Sequence, residues 1–290
     1  MRAKDPGVLS AESQKENGPF DGKNRRVMVF SIGAGNESHG PALASNIDDY
    51  AAIVTATTVA LRLGLTYVGH LPYSGDRAGE AARSWNPGYL ARDELRARVV
   101  EDVRRAIDLQ EEFQRNNASI VVVVSGHGGN NFLEEEEAAM SEGLGVPFHY
   151  VRPFPRGSLI LSKTYGRLEI THADDGEHSL GLFLGLLDKK KLRKLNETAS
   201  RDPKEAIRQN PAIMGLAYYV LPELSGDEYK GLRARHRELL KTARKFLRSR
   251  RVVADYAAGK KLMEKNITDT LSQVKKIIRQ NQIKFFGGNA

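Results

Sequence analysis

Ser119-Ile-Val-Val-Val-Val124-Ser-Gly126-His-Gly-Gly-Asn130 decides the fold. Its apolar run is continuous rather than alternating, which suits a strand covered on both faces, as in a parallel sheet. The glycine-rich turn lies at the carboxyl end of that strand, where open α/β sheets build their sites. A helix is expected after it, from about Phe132 to Glu142.

Outward from this stretch the pattern repeats. Arg26-Val-Met-Val-Phe-Ser-Ile32 is a second buried strand, ending in Gly33-Ala-Gly35. Ile47 to Leu63 has helical spacing and closes on Gly64, a C-cap residue. Leu65–Leu71 reads as a strand, residues 72–89 as an irregular loop, and Asp93 as the cap of a helix running to about Gln114. Pro147–Pro153 and Ser158–Lys163 are further strand candidates. Glu177–Leu187, Tyr229–Arg250 and Ala254–Gln282 read as helices, and Lys189–Ser200 as a charged continuation or turn. Strands alternating with helices predict an α/β three-layer sandwich with a mostly parallel central sheet. Residues 1–24 read as a mobile N-terminal tail and residues 25–290 as a single catalytic domain with basic C-terminal helices.

Composition narrows the function. The chain is 40% hydrophobic and 28% charged, as ordinary soluble domains are. No apolar run is long enough for a membrane span, and Met1–Lys23 lacks a signal-peptide core, so a cytoplasmic protein is expected. With no cysteine, disulfides, thiolate zinc sites, iron–sulfur clusters and a cysteine nucleophile are excluded. The net charge of +8 is concentrated at one end: residues 226–290 hold 17 Lys and Arg against 6 Asp and Glu, the rest 27 against 30. Solvated helix faces, an oligomer contact or attraction of anionic substrates explain this better than nucleic acid, for which no binding signature is present.

Three segments put His and carboxylates in glycine-containing loops or helix entrances. They are Gly35-Asn-Glu37-Ser-His39-Gly40 with Asn46-Ile-Asp48-Asp49, then Ser125–Asn130, then Thr171-His172-Ala-Asp174-Asp175-Gly-Glu177-His178-Ser179. Four of the seven histidines lie in them. Nitrogen and oxygen donors of this kind suit a divalent Zn, Fe or Mn ion. Glu37 and His39 are two apart, so an extended loop points both the same way. Asp48 opens a helix, whose dipole favours the ionised form. Taken singly, each segment also reads blandly: a solvated loop, a tight turn or backbone nest, and first-turn acids supporting a helix. His70, His149 and His236 lack such neighbours and read as structural or surface residues.

Glu37-Ser-His39-Gly40 with Asp48 resembles the Glu-x-His-Gly…Asp motif of the creatininase (creatinine amidohydrolase) family. Gly126-His-Gly-Gly-Asn130 is similar to its second motif, and His172-Ala-Asp-Asp-Gly-Glu177-His-Ser179 to its third, His-Ala-Gly-Glu-x-Glu-Thr-Ser. Ala257–Glu264 resembles the family's closing helix. The resemblance implies a creatininase-like fold, a homo-oligomer, and one or two divalent ions per chain, Fe(II), Zn or Mn. It implies Glu37, Asp48 and His127 on one ion, His39 and the bridging Asp48 on a second, and His172 as acid/base, with Glu177 orienting His172 or a ligand. Arg77, Lys163 and Arg167 are candidate anion partners, and the Gly128 and Gly129 amides candidate oxyanion donors.

The chain also departs from the pattern. Asp174-Asp175 stands for Gly-Glu, His178 for Thr, Gly129 for a Glu of creatininase proper, and Ala42-Leu-Ala-Ser45 for a His-Leu-Pro stretch. These changes point away from creatinine. Within the family the chain is similar to the archaeal formamide hydrolases, which deformylate a formylaminopyrimidine ribonucleotide on the route to riboflavin and a deazaflavin cofactor. Asn210–Gly215 belongs to that likeness. The implied substrate is a phosphorylated pyrimidine nucleotide. A cyclic-amide hydrolase and a non-catalytic binding protein on the same fold remain alternatives.

Overall fold

The computed structural model describes residues 27–114, 120–154, 160–162, 166–168 and 170–286. The expected tail, residues 1–24, and Lys163 lie outside them. Four parallel strands form the central sheet: β1 (Val27–Ile32), β2 (Thr66–Leu71), β3 (Ile120–Ser125) and β4 (Phe148–Val151), in the order β2-β1-β3-β4. A two-stranded antiparallel piece, β5 (Ile160–Ser162) with β6 (Gly166–Leu168), stands apart from it.

The continuous apolar runs have two faces to bury. Met28, Phe30, Val121, Val123 and Phe148 face a core completed by α2 (Arg92–Gln114) and α3 (Glu137–Leu144). Val27, Val29, Ile120, Val122 and Val124 face the opposite core, completed by α1 (Ile47–Leu63) and α11 (Tyr256–Phe286). This is the expected three-layer α/β arrangement. α4 (Asp175–Leu184) packs on α11, and a separate helical cluster gathers α5 (Lys189–Arg201), α6 (Pro203–Gln209), α7 (Ile213–Val220), α8 (Pro222–Ser225), α9 (Lys230–Arg235) and α10 (Arg237–Ser249) in sequence. Its apolar centre takes Trp85 and Tyr89 from the long loop after β2.

Several elements differ from their sequence reading. Asp93 lies inside the first turn of α2 rather than capping it. The helix expected at Phe132–Glu142 is a 3-10 turn, Gly128–Glu134, followed by α3, because the glycines let the chain tighten directly after His127. The third-motif helix starts two residues early because Asp174 accepts from Gly176 N at 2.9 Å and Glu177 N at 3.0 Å, an N-cap. Tyr229–Arg250 is two helices broken at His236. α6, α7 and α8 were not expected from the sequence, although Asp202 before Pro203 is a helix-start signal for α6; α7 is apolar all round and carries a left-handed turn at Met214, Gly215 and Leu216.

The site is positioned by the strand order. From β1 the chain crosses to β2 on one side and then to β3 on the other, so the loops leaving β1 and β3 part at a topological switch point. Ile32 pairs with Ser125, and Gly126 N donates to Ile32 O at 2.9 Å, so the two loops begin side by side. Gly126 also packs directly on α1: a Cβ there would lie 2.0 Å from the Asp48 carbonyl oxygen and 3.0 Å from Ala52 N. Both obstacles are backbone and cannot rotate away. Gly126→Ala is therefore expected to cost about 1–3 kcal/mol or more, the range for overpacking a close-packed interior. A urea unfolding midpoint equal to that of the parent protein would contradict this packing.

Candidate metal centre

Glu37 and His39 descend from β1 in a loop tied at both ends. Asp49 Oδ1 accepts from Ala34 N at 3.1 Å and Gly35 N at 3.2 Å, and Ser38 N donates to Trp85 O at 2.7 Å. Asp48 sits in the first turn of α1, where the helix dipole supports its charge. His127 begins the turn after β3. Asn130, four positions after Gly126, laces the loops together: its Nδ2 donates to Gly33 O at 2.8 Å and its Oδ1 accepts from Gly75 N at 2.8 Å.

The structure brings all six sequence-predicted residues together. His127 Nδ1 lies 3.0 Å from both Asp48 Oδ2 and Glu37 Oε2. His39 Nε2 lies 3.7 Å from Asp48 Oδ2, 3.7 Å from Glu177 Oε2 and 3.9 Å from Glu37 Oε2. His172 stacks on His39 with ring centroids 4.6 Å apart, and its Nδ1 is 3.6 Å from Glu37 Oε1. Glu37, His39, Asp48, His127 and Glu177 are all buried.

Each imidazole has one nitrogen engaged by backbone and one aimed at carboxylates. His39 Nδ1 is 3.1 Å from Glu37 O, His127 Nε2 is 3.3 Å from Gly75 O, and His172 Nε2 is 2.9 Å from Ser38 O. A nitrogen facing a carbonyl carries the proton and donates, which leaves the other free to bind an ion. Two ligands at about 2.1 Å from one tetrahedral ion stand about 3.4 Å apart; the spacings here fall around that value. His39 Nε2 and Glu37 Oε2 are buried and have no hydrogen-bond partner, Glu37 being left over because His127 Nδ1 bonds to Asp48. An orphaned nitrogen and an orphaned carboxylate oxygen aimed at the same space fit a divalent cation.

Three ligand groupings share this space: Glu37, Asp48 and His127; His39, Asp48 and Glu177; and Glu37, His39 and His172. Asp48 is common to the first two, Glu37 to the first and third, and His39 to the second and third. Glu177, expected to orient His172 or a ligand, presents its carboxylate to His39, one of the expected ligands, while Oε2 also accepts from Ala173 N. Gly129 leaves no room for the Glu of creatininase proper, since a Cβ there would fall 2.2 Å from His127 Nε2 and 2.4 Å from Gly75 O. Among the other third-motif residues, Asp174 caps α4, Asp175 pairs with Lys245 at 2.9 Å, and His178 Nδ1 donates to Asp174 O at 2.8 Å, away from the centre.

Burial would push every carboxyl here up and every imidazole down. The Glu37 and Asp48 carboxyls are nevertheless held low by His127, His39 and, for Glu37, His172. His39 is pushed up to about 10 because Asp48, Glu177 and Glu37 outweigh its burial, and His127 rises for the same kind of reason. Glu177 rises well above the carboxylate range through burial and the nearby Asp48 and Asp174 charges. His172 falls to about 4 because burial and the neighbouring His39 charge outweigh the pull of Glu37.

The centre floors a cavity of about 410 Å³. Gly128, Gly129 and Arg77 line it as the sequence suggested; the Arg167 side chain lies outside the described residues. Asp76, Asn131, Arg152 and His236 also line it and were missed. Arg152 follows the carboxyl end of β4, a position the strand-end rule marks. His236 had no sequence signal.

No family model matches the chain. The chain is 28% identical over 258 residues, 88% of its length and 90% of the relative's, to the 2-amino-5-formylamino-6-ribosylaminopyrimidin-4(3H)-one 5'-monophosphate deformylase of Methanothermobacter thermautotrophicus. Among solved structures it is similar to a creatinine amidohydrolase (creatininase), with TM-score 0.43, 24% identity, and coverage of 57% of this chain and 68% of that one. A mutant creatininase complexed with creatine gives TM-score 0.49 and 18% identity over 87% of this chain and 91% of that one. The likeness to this deformylase extends along nearly the whole chain.

The electrostatics make a metal-binding prediction. Without an ion, His39 holds a proton below about pH 10, and His127 holds one well above its ordinary range. An ion must displace those protons, so loading with Zn²⁺ at neutral pH should release protons, and affinity should rise with pH toward about 10. Calorimetry in buffers of different ionisation enthalpy measures this; binding with no proton release would contradict the assigned charge states.

Proposed function

We propose that this relative of the creatininase family is a metal-dependent amidohydrolase acting on a linear C–N amide bond. The finer reading is a deformylase that releases formate from a formylaminopyrimidine ribonucleotide in riboflavin and deazaflavin formation. The observation that carries the reading is the buried ligand set sharing Asp48, with His172 at its side and an open cavity above it. The deformylase relative supports the choice of bond. Absent cysteines accord with a cytoplasmic setting.

Glu37, Asp48 and His127 would hold one ion, and His39, Asp48 and Glu177 a second, with Zn, Fe(II) or Mn all compatible with this donor set. Bound there, a divalent ion acidifies water from a pKa of about 15.7 to about 7 and polarises the amide carbonyl. His172 is neutral at physiological pH, with Nε2–H fixed on Ser38 O and Nδ1 unprotonated. Nδ1 therefore takes the proton from the attacking water and returns it to the amide nitrogen as the C–N bond breaks. A C–O bond forms at the formyl carbon, and formate and the amine leave. The Gly128 and Gly129 amides, on the cavity wall, would donate to the developing oxyanion.

Formate release from formylaminopyrimidine nucleotides by metal-loaded protein is the direct test. Lactam opening without formate release would replace the deformylase reading with the cyclic-amide one, and a metal-loaded protein that hydrolyses neither would favour a binding role. Asp48→Ala should strip most of the metal, since one carboxylate serves both ligand groups; full metal content by elemental analysis would sink the bridging role.

The roles of His172 and His127 separate experimentally. His172→Ala should keep its metal and its melting temperature while activity falls about 10²–10⁴-fold, the usual contribution of a positioned acid–base group. His127→Ala should lose metal and activity together. Loss of metal from His172→Ala would make His172 a ligand, as its place beside Glu37 and His39 also permits.

A further inference from the structure

The cavity is too large for a formamide alone. Pockets for whole small organic ligands typically run about 300–1,000 Å³, and this one, at about 410 Å³, leaves most of its space beyond the scissile group. Its lining outside the metal centre is of two kinds. Phe154, Ile170, Leu216, Leu232 and Leu239 are apolar, whereas Arg77, Arg152 and Asn131 are donors.

The two arginines are brought together by neighbouring carboxylates. Arg77 Nη2 donates to Glu135 Oε1 at 3.0 Å, and Arg152 Nε donates to Glu134 Oε2 at 2.5 Å. Consecutive residues thus hold two guanidinium groups on one turn. A guanidinium has five N–H donors, so one carboxylate neutralises its charge without exhausting its hydrogen bonds. Arg235 adds a third cation nearby, its Nη1 donating to Arg77 O at 3.1 Å. Asn131 has its Oδ1 taken by the Tyr150 hydroxyl at 3.2 Å, which leaves its amide nitrogen to donate. The remaining acids of the lining have partners: Asp76 Oδ1 accepts from Ala78 N at 2.7 Å, and Glu238 lies 3.5 Å from His236 Nδ1.

We propose that Arg77 and Arg152 form a phosphate subsite, taking a phosphomonoester carried on the same molecule as the scissile amide. This rests on the amidohydrolase reading for the other end of the cavity. Planar guanidinium forks match phosphate oxygens in pairs, and the apolar lining would cover the part of the substrate between phosphate and amide. The subsite anchors substrates through hydrogen bonds to the phosphate oxygens, so its effect falls on binding and not on the bond-breaking step.

Ribose 5-phosphate and ribose, titrated by calorimetry into the metal-loaded protein, test the subsite without requiring turnover. The set comprises the parent protein, Arg77→Ala, Arg152→Ala and, as control, Arg96→Ala, which removes a cation paired with Glu136 and not lining the cavity. Ribose 5-phosphate should bind at least tenfold more tightly than ribose. That preference should fall at least tenfold in both cavity variants and change less than twofold in Arg96→Ala. Arg77→Gln and Arg152→Gln serve if an alanine variant fails to fold. Three results would each overturn the proposal: no preference for the phosphorylated sugar, an undiminished preference in both cavity variants because the metal takes the phosphate, or an equal loss in Arg96→Ala. Failure of formate release would count against the amidohydrolase reading and leave these binding results standing.

Discussion

Asp48 must remain charged while 94% of its surface is withdrawn from water, since it is 6% exposed. An isolated buried carboxylate would protonate instead of paying that desolvation cost. Here the opening turn of α1 and the imidazoles of His39 and His127 hold it ionised. The balance is mutual: the same carboxylates that need the imidazoles raise His39 and His127 far above their usual range. A cluster of this kind is costly to bury and is left with orphaned atoms even when all its members pair. A divalent ion would resolve both the charge and the unmet coordination, which is the physical reason to read it as a metal centre and not as a structural ion-pair network.

The scaffold is built to hold that cluster. Register between β1 and β3 places Gly33 and Gly126 next to each other, and Gly126 lets β3 press on the backbone of Asp48. Asp49, one position on, turns the other way. It binds the amides of Ala34 and Gly35, and His70 Nε2 lies 3.1 Å from its Oδ1, with Ser31 and Tyr67 linked behind His70 at 2.9 Å each. Two adjacent aspartates therefore divide the labour: one faces the metal space, the other fixes the loop that delivers Glu37 and His39. His70 is thereby a structural histidine, as its lack of acidic sequence neighbours suggested.

The strands and the centre were legible because their signals are local. A five-residue apolar run, Ile120–Val124, can satisfy two cores only in a covered strand, and Glu37, His39 and His127 sit in short motifs after strand ends, with Asp48 in the first turn of α1. What was illegible is what several distant segments make together. Arg152, Asn131, Asp76 and His236 meet around one cavity only after β2, β4, the 3-10 turn and the α9–α10 break are in place. Helix boundaries failed where side-chain chemistry overrode periodicity, as at Asp174, whose capping bonds start α4 early. The role of Glu177 was half legible: its acidity marked it, but only the fold shows it turned toward His39 instead of stabilising its own helix.

The third motif shows why its departures from the family pattern are tolerable. Asp174 bonds the α4 amides and, through Oδ2, Thr171 N at 2.7 Å, so it fixes the entrance on both sides. Asp175 ties that entrance to the basic helices through Lys245 and Val253 N, at 2.9 Å each. His178 turns back to Asp174 O, which leaves Glu177 alone on the face toward the centre. His172 is held from a further direction: Gly215 N donates to its carbonyl at 2.6 Å, from the left-handed turn that also puts Leu216 on the cavity wall. A left-handed backbone at Met214 and Leu216 costs energy for residues with a side chain. It persists because the turn meets two demands at once, holding the His172 and Ala173 carbonyls and shaping the space that the substrate must fill.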